Sequence, residues 1–161
     1  MYRLLVVVLF AVSVTLSARA DESQNIQVVK AMAAAINDRD LDALDSYVQP
    51  DIVRHSGATP SVIVTNISEF RTFLENDFAT VPDSVQEIDI IFGSGEFVAM
   101  RARYIGTQKG PMGPFPASNK KLELPFIGIL RLESGKVAEI WVEWDNLNAL
   151  TQLGHFPPPE K

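Results

Sequence analysis

The run Gly135-Lys136-Val137-Ala138-Glu139-Ile140-Trp141-Val142-Glu143-Trp144-Asp145 decides the fold. From Val137 its side chains alternate, the period of a β-strand. Ala138, Ile140, Val142 and Trp144 share one face, which reads as core. Glu139, Trp141, Glu143 and Asp145 share the other, an acidic row around one indole. That second face is either exposed to solvent or the lining of a polar pocket. Working back along the chain, Val85 to Phe92, Phe97 to Thr107 and Lys121 to Leu132 have the same period. Gly93-Ser94-Gly95 and Glu133-Ser134-Gly135 suit hairpin turns between them. Lys109 to Ser118 is rich in Gly and Pro and reads as a loop, the expected rim of any pocket.

The N-terminal half has a different period. Asp21 to Asn37 is helical, with Ile26, Val29, Ala33 and Ile36 recurring at threes and fours. Asn37-Asp38-Arg39-Asp40 breaks that helix. Leu41 to Val48 reads as a second one, ended by Pro50. Ile52 to His55 is a short strand. Asn66 to Ala79 is a helix with Asn66 as its cap, Glu69 as capping-box partner, and Phe70, Phe73, Leu74 and Phe78 on one stripe. Leu147 to Leu153 forms a short last helix stopped by Gly154. Helices first and long antiparallel strands afterwards give an α+β fold. The expected form is a curved, mostly antiparallel sheet, a cone with the N-terminal helices on its concave face.

The chain has 161 residues, 14 Lys and Arg against 20 Asp and Glu, a formal charge of −6, and no cysteine. That balance argues against nucleic acid as a partner and against an anionic membrane surface. Residues 1–20 read as a signal segment: Arg3, an apolar run from Leu4 to Leu16, then Ala18-Arg19-Ala20 as a cleavage site. A secreted or periplasmic protein is expected, with residues 21–161 as one domain. Without disulfides its core must suffice by itself.

No metal-ligand spacing, serine elbow, phosphate loop or dinucleotide fingerprint occurs, so no metal or cofactor is expected. The polar residues among apolar strands are His55, Asp83, Arg101, Arg103, Gln108, Glu139, Glu143 and Asp145. His155 lies in the expected tail. Each has a plain structural reading. Asp145 is a good helix cap, Asp83 a turn residue, and the Arg and Glu rows ordinary cross-strand charges. Asp145 beside indole rings is equally a candidate desolvated acid, its pKa pushed up by Trp141 or Trp144 and by Glu143.

The segment Leu41 to Gly154 resembles the SnoaL-like polyketide cyclase (ester cyclase) family. The resemblance is carried in order by Asn37-x-x-Asp40-Leu41-Asp42-Ala43-Leu44, Asp51-Ile52-Val53-Arg54-His55, and the Phe-rich helix closing in Pro82-Asp83. Arg101 with Gly106-Thr107, and Gly110-x-x-Gly113-x-x-Pro116-Ala117, come next. Gly135-Lys136-Val137-x-Glu139-x-Trp141-x-x-x-Asp145 and Leu150-x-x-Leu153-Gly154 complete it. It implies a cystatin-like cone and cofactor-free ring closure by intramolecular aldol condensation of a small hydrophobic carbonyl compound. By the same resemblance Asp145 is the acid–base and His55 its pocket partner. Arg101, Gln108, Trp141 and Glu143 are the candidate substrate contacts, and by the resemblance two copies are expected to pair through the convex sheet face. Two departures stand out: Gln108 where many members have His, and Ser118-Asn119 where many have Thr-Gly. A non-catalytic binding protein, or a hydrolase or dehydratase, would fit the same cone. Catalysis by Asp145 requires it to line one cavity with His55, whereas a solvent-facing cap favours a binding protein.

Overall fold

The computed structural model describes residues 22–157; the signal expected over residues 1–20 lies outside them. Helix α1 spans residues 22–37 and buries Val29, Met32, Ala33 and Ile36. It ends where Arg39 adopts a φ of 63°. The Arg39 guanidinium closes the corner by donating to the carbonyls of Ile36 (3.2 Å), Pro82 (2.9 Å) and Ser84 (2.8 Å).

The expected second helix is not formed. Asp42–Ser46 is a single 3-10 turn, and strand β1 already begins behind it, Val48–His55. Pro50 therefore lies inside a strand rather than ending a helix. The pairing of β1 jumps from Val48↔Val137 to Val53↔Glu139, so Pro50 falls in an irregular stretch of an edge strand. A residue without an N–H is tolerated there. Helix α2, Ile67–Thr80, is capped as expected, with Glu69 N donating to Asn66 Oδ1 at 2.9 Å. The Glu69 carboxylate reaches back one residue further than expected, to Thr65 N at 2.7 Å.

Strands β2 (Val85–Ser94), β3 (Phe97–Thr107), β4 (Lys121–Glu133) and β5 (Lys136–Trp144) follow, then helix α3, Asn146–Leu153. The sheet order is β1-β5-β4-β3-β2. All neighbours are antiparallel except β1, which lies parallel to β5. The α+β cone is thus as expected, a curved and mostly antiparallel sheet with helices over one face.

Alternation gives the sheet two unlike sides. Val98, Met100 and Ala102 of β3, Phe126 and Leu130 of β4, and Ile140 of β5 point inward and pack with Val29, Ile36, Phe70 and Leu74. Each fully buried Leu or Ile, such as Leu130 and Ile52 at 0% exposure, contributes about 1.5–3 kcal/mol. Outward-facing Ile127 is 54% exposed and contributes little of that in a single copy. Helix α3 buries Ala149 and Leu153 on Leu122 and Leu124, closing one end of the inner face.

The loop after β3 is held against the end of α2, where Lys109 N and Gly110 N both donate to Thr80 O, at 2.8 and 2.9 Å. A Cβ on Gly110 would lie 3.0 Å from Thr80 Cα and closer still to the Ala79 carbonyl. Gly110→Ala is therefore expected to destabilise the protein by about 1–3 kcal/mol, the usual cost of overpacking. Denaturant unfolding checks this: the midpoint should fall with the slope unchanged.

Candidate functional site

Register decides where the predicted site residues go. Phe92↔Ala99, Ala99↔Ile129, Ile129↔Trp141 and Trp141↔His55 form one row across all five strands. Ile90, Arg101, Ile127 and Glu143 form the next. Both rows lie on the outer face. His55 is therefore not a pocket residue: Arg54 takes the inward phase of β1, 7% exposed, and His55 takes the outward one. Its Nε2 lies 2.8 Å from Glu139 Oε1, and its ring stacks on Trp141 with centroids 5.2 Å apart. That hydrogen bond, with help from Arg131 at 3.1 Å, holds the Glu139 carboxylate below the usual range.

Arg101 and Arg103 do not face Glu139 and Glu143. Strand β4 separates β3 from β5, so Arg101 pairs with Asp89, and Arg103 with Glu87 (2.6 Å), Asp89 (3.1 Å) and Glu123 (3.0 Å). Glu143 instead accepts from Gly57 N (2.5 Å) and Ala58 N (3.0 Å), strapping the loop after β1 to β5. An open groove of about 410 Å³ crosses this outer face, lined by Arg101, Pro125, Phe126, Ile127, Glu143 and Trp144.

Asp145 is the N-cap of α3. It is exposed and accepts from Asn148 N at 3.0 Å. Asp83 accepts from Thr107 N (2.6 Å) and Oγ1 (2.8 Å), which hold its carboxyl below the usual range. Gln108 is fully buried and its amide is fully used. Nε2 donates to Gly110 O and Pro116 O, both at 3.1 Å. Oε1 accepts from Ser118 N at 3.2 Å and from His155 Nε2 at 2.9 Å. These bonds pin the loop and leave the amide without a free donor or acceptor for a substrate, and they anchor His155, expected from the sequence to lie in a tail.

A second group of polar and titratable side chains lies on the inner side of the sheet. Asp77 of α2 accepts from the Tyr104 hydroxyl of β3, with both carboxylate oxygens 3.0 Å away. Burial raises the Asp77 pKa from 3.8 to about 6, against the opposing pull of Tyr104, Arg39, Ser84 and Arg54. Burial, then the Asp77 charge, push the Tyr104 phenol well above its ordinary value. The Arg54 guanidinium lies over the Phe73 ring at 4.4 Å and beside Trp144 at 5.8 Å. Burial lowers its pKa, while Glu143 and Asp77 act the other way; an arginine stays charged regardless. Phe73, Asp77, Tyr104 and Trp144 are all only partly buried, so the cluster opens to solvent. A carboxylate with a pKa near neutrality, a phenol donor and a cation within an apolar frame can move a proton and stabilise a developing oxyanion.

The sequence carried a signal for this cluster. Asp77 lies on the stripe of Phe70, Phe73, Leu74 and Phe78, an acid on the apolar face of an amphipathic helix. Tyr104 continues the inward phase of Val98, Met100 and Ala102, and Arg54 that of Ile52.

A model of the SnoaL-like polyketide cyclase family matches residues 26–153. Among solved structures, IdmH, a proposed polyketide cyclase from Streptomyces antibioticus, is 25% identical. Their superposition has a TM-score of 0.73 and covers 81% of this chain and 99% of that one. A proposed SnoaL-like polyketide cyclase from Jannaschia sp. CCS1 is 22% identical, with a TM-score of 0.75, covering 84% and 95%. An LEH-like epoxide hydrolase from M. tuberculosis shares the fold at 15% identity, with a TM-score of 0.67, covering 82% and 90%. No functionally curated protein matches the chain.

The raised Asp77 pKa has a consequence for stability. The folded protein holds this proton more tightly than the unfolded chain, so the Asp77 contribution is complete below about pH 4 and lost as pH rises through about 6. The loss is on the order of 3 kcal/mol at neutral pH. Asp77→Asn is expected to melt above the wild type at neutral pH, the gap closing at about pH 4. Melting curves of both proteins across that range check it.

Proposed function

We propose that this chain, which belongs to the SnoaL-like polyketide cyclase family, is a cofactor-free acid–base catalyst acting on a small hydrophobic carbonyl compound. The observation that carries the reading is the Asp77–Tyr104 pair inside the cone. With a pKa of about 6, Asp77 is mostly ionised at neutral pH yet far more basic than an ordinary aspartate at ~3.9. In an intramolecular aldol closure the Asp77 carboxylate takes a proton from the carbon beside a ketone. Tyr104 O–H donates to the enolate oxygen as it forms. The enolate carbon then attacks a second carbonyl of the same molecule, and the resulting alkoxide takes the proton back from Asp77. Nothing is consumed, and no redox partner is needed.

The family resemblance gives the acid–base role to Asp145, and its position as an exposed cap favours a second reading, a binding protein on the same cone. Residues 1–20 support export as part of either reading.

One experiment separates these readings. Deuterium exchange into the α-carbon of aryl 1,3-diketones, followed by NMR, reports proton abstraction without knowledge of the natural substrate. The wild type is expected to accelerate exchange with a rising limb near pH 6. Asp77→Asn should lose about 100-fold or more, as general-base deletions do, and Tyr104→Phe less. Loss confined to Asp145→Asn would move the chemistry to Asp145. Wild-type exchange no faster than buffer would leave the binding protein.

We propose, finally, that a second copy of the chain covers the outer face of the sheet. Ile90 (56% exposed), Phe92 (60%) and Ile127 (54%) form with Ile129 and Trp141 an apolar surface of the kind that marks an interface. Ile127→Glu is expected to convert a dimer to a monomer in light scattering. A wild type that is monomeric at micromolar concentration would refute the pairing.

A further inference from the structure

Arg54 has more hydrogen-bonding capacity than the protein uses. It is 93% buried, being 7% exposed, on the inward phase of β1. Its Nη1 donates to Thr59 Oγ1 at 3.2 Å. Among the described residues, Nε and Nη2 have no acceptor, and no carboxylate forms an ion pair with it. Asp77 and Glu143 influence it through space without touching it. A buried guanidinium normally has its donors matched by a carboxylate, because an uncompensated buried charge costs several kcal/mol. Neither free nitrogen is sealed from solvent: among the described residues, the buried side-chain polar atom without a partner is Ser56 Oγ, two residues further on.

The shape of the surroundings narrows what can fill this gap. Phe73 and Trp144 lie against the guanidinium, so its open donors lie at the edge of its plane. Two parallel N–H groups in one plane match the two oxygens of a carboxylate. A phosphate dianion would add charge close to Asp77, which already faces Arg54 across the site, whereas a carboxylate adds a single charge. The aromatic rings that frame the guanidinium also suit a flat apolar body attached to that carboxylate.

We infer that the ligand of this cone carries a carboxylate that pairs with the Nε and Nη2 edge of Arg54, so that the substrate class is an aromatic or polycyclic keto acid rather than a neutral ketone or ester. The inference rests on placing the ligand at the Asp77–Tyr104 site, but not on that site being catalytic. The carboxylate would hold one end of the molecule at Arg54 and set which carbon reaches Asp77.

Two probes test it, 2-naphthoate and its neutral methyl ester, titrated calorimetrically into the wild type, Arg54→Gln and Asp77→Asn. The wild type is expected to bind the acid at least about tenfold more tightly than the ester, a difference of ~1.4 kcal/mol. Arg54→Gln should bring that ratio close to one while the ester affinity changes little. Asp77→Asn removes the competing negative charge and should tighten the acid by about threefold or more without affecting the ester. If Arg54→Gln does not fold by circular dichroism, the wild-type and Asp77→Asn ratios decide. Equal binding of acid and ester by the wild type, binding of neither, or a preference that survives in Arg54→Gln overturns the inference. These outcomes are independent of deuterium exchange. An acid preference without exchange leaves a carboxylate-binding protein, and exchange without the preference leaves a catalyst of neutral substrates.

Discussion

A sheet covered on one side only is the constraint from which the other features follow. The helices and the inward residues bury each other, while the outward rows stay open to solvent. Because strand side chains alternate, a shift of one residue moves a group from the cone interior to the convex surface. Arg54 and His55 are the clearest case, adjacent in sequence and on opposite sides of the sheet. Trp141 and Trp144 are another: three residues apart, they fall on opposite faces, one beside His55 and the other beside Arg54. Any assignment of chemistry in this fold is first an assignment of phase.

The interior cluster carries a cost that the apolar core alone would not. Holding Asp77 near a pKa of 6 means that the ionised form is disfavoured in the folded state at neutral pH. Arg54 is 7% exposed and has one side-chain hydrogen bond, to Thr59, among the described residues. Apolar replacements of similar size are often neutral or better for stability, which makes such groups candidates for a functional site. The outer charges behave differently. Arg103 with Glu87, Asp89 and Glu123 stands in water, where such pairs contribute roughly 0–1 kcal/mol each. The energetic contrast separates a buried cluster from a solvated ladder even though both contain arginine and carboxylate.

Much of the fold was legible in the sequence. The four period-two runs, the capped helix at Asn66 and the stop at Gly154 are local signals, and local physics produced them. The second helix failed because Leu41 to Val48 has helical spacing but lies where the chain must enter the sheet beside β5, and pairing of Val48 with Val137 overrode the local pattern. The site was less legible. Motif position and polarity selected His55, Arg101, Glu143 and Trp141, all of them outward. The inward residues were hidden because Asp77 interrupts an apolar helix stripe and Tyr104 and Arg54 continue apolar phases, so each looked like part of the core. A parallel β1–β5 pair, which sets the phase of His55 against Trp141, joins segments more than 80 residues apart and leaves no local trace.

Gln108, where the resemblance leads one to expect His, shows how such a departure can be structural. A histidine at this place would have one donor and one acceptor in its neutral form. The site asks for two of each: Gly110 O and Pro116 O need donors, and Ser118 N and His155 Nε2 need acceptors. Only an amide meets all four with one buried side chain. The loop from Lys109 to Ser118 and the end of α3 are thereby tied to one atom group, with His155 stacked on Phe115 at 4.9 Å closing the knot. In the proposed reading the acid–base work falls to Asp77 with Tyr104, further inside the cone.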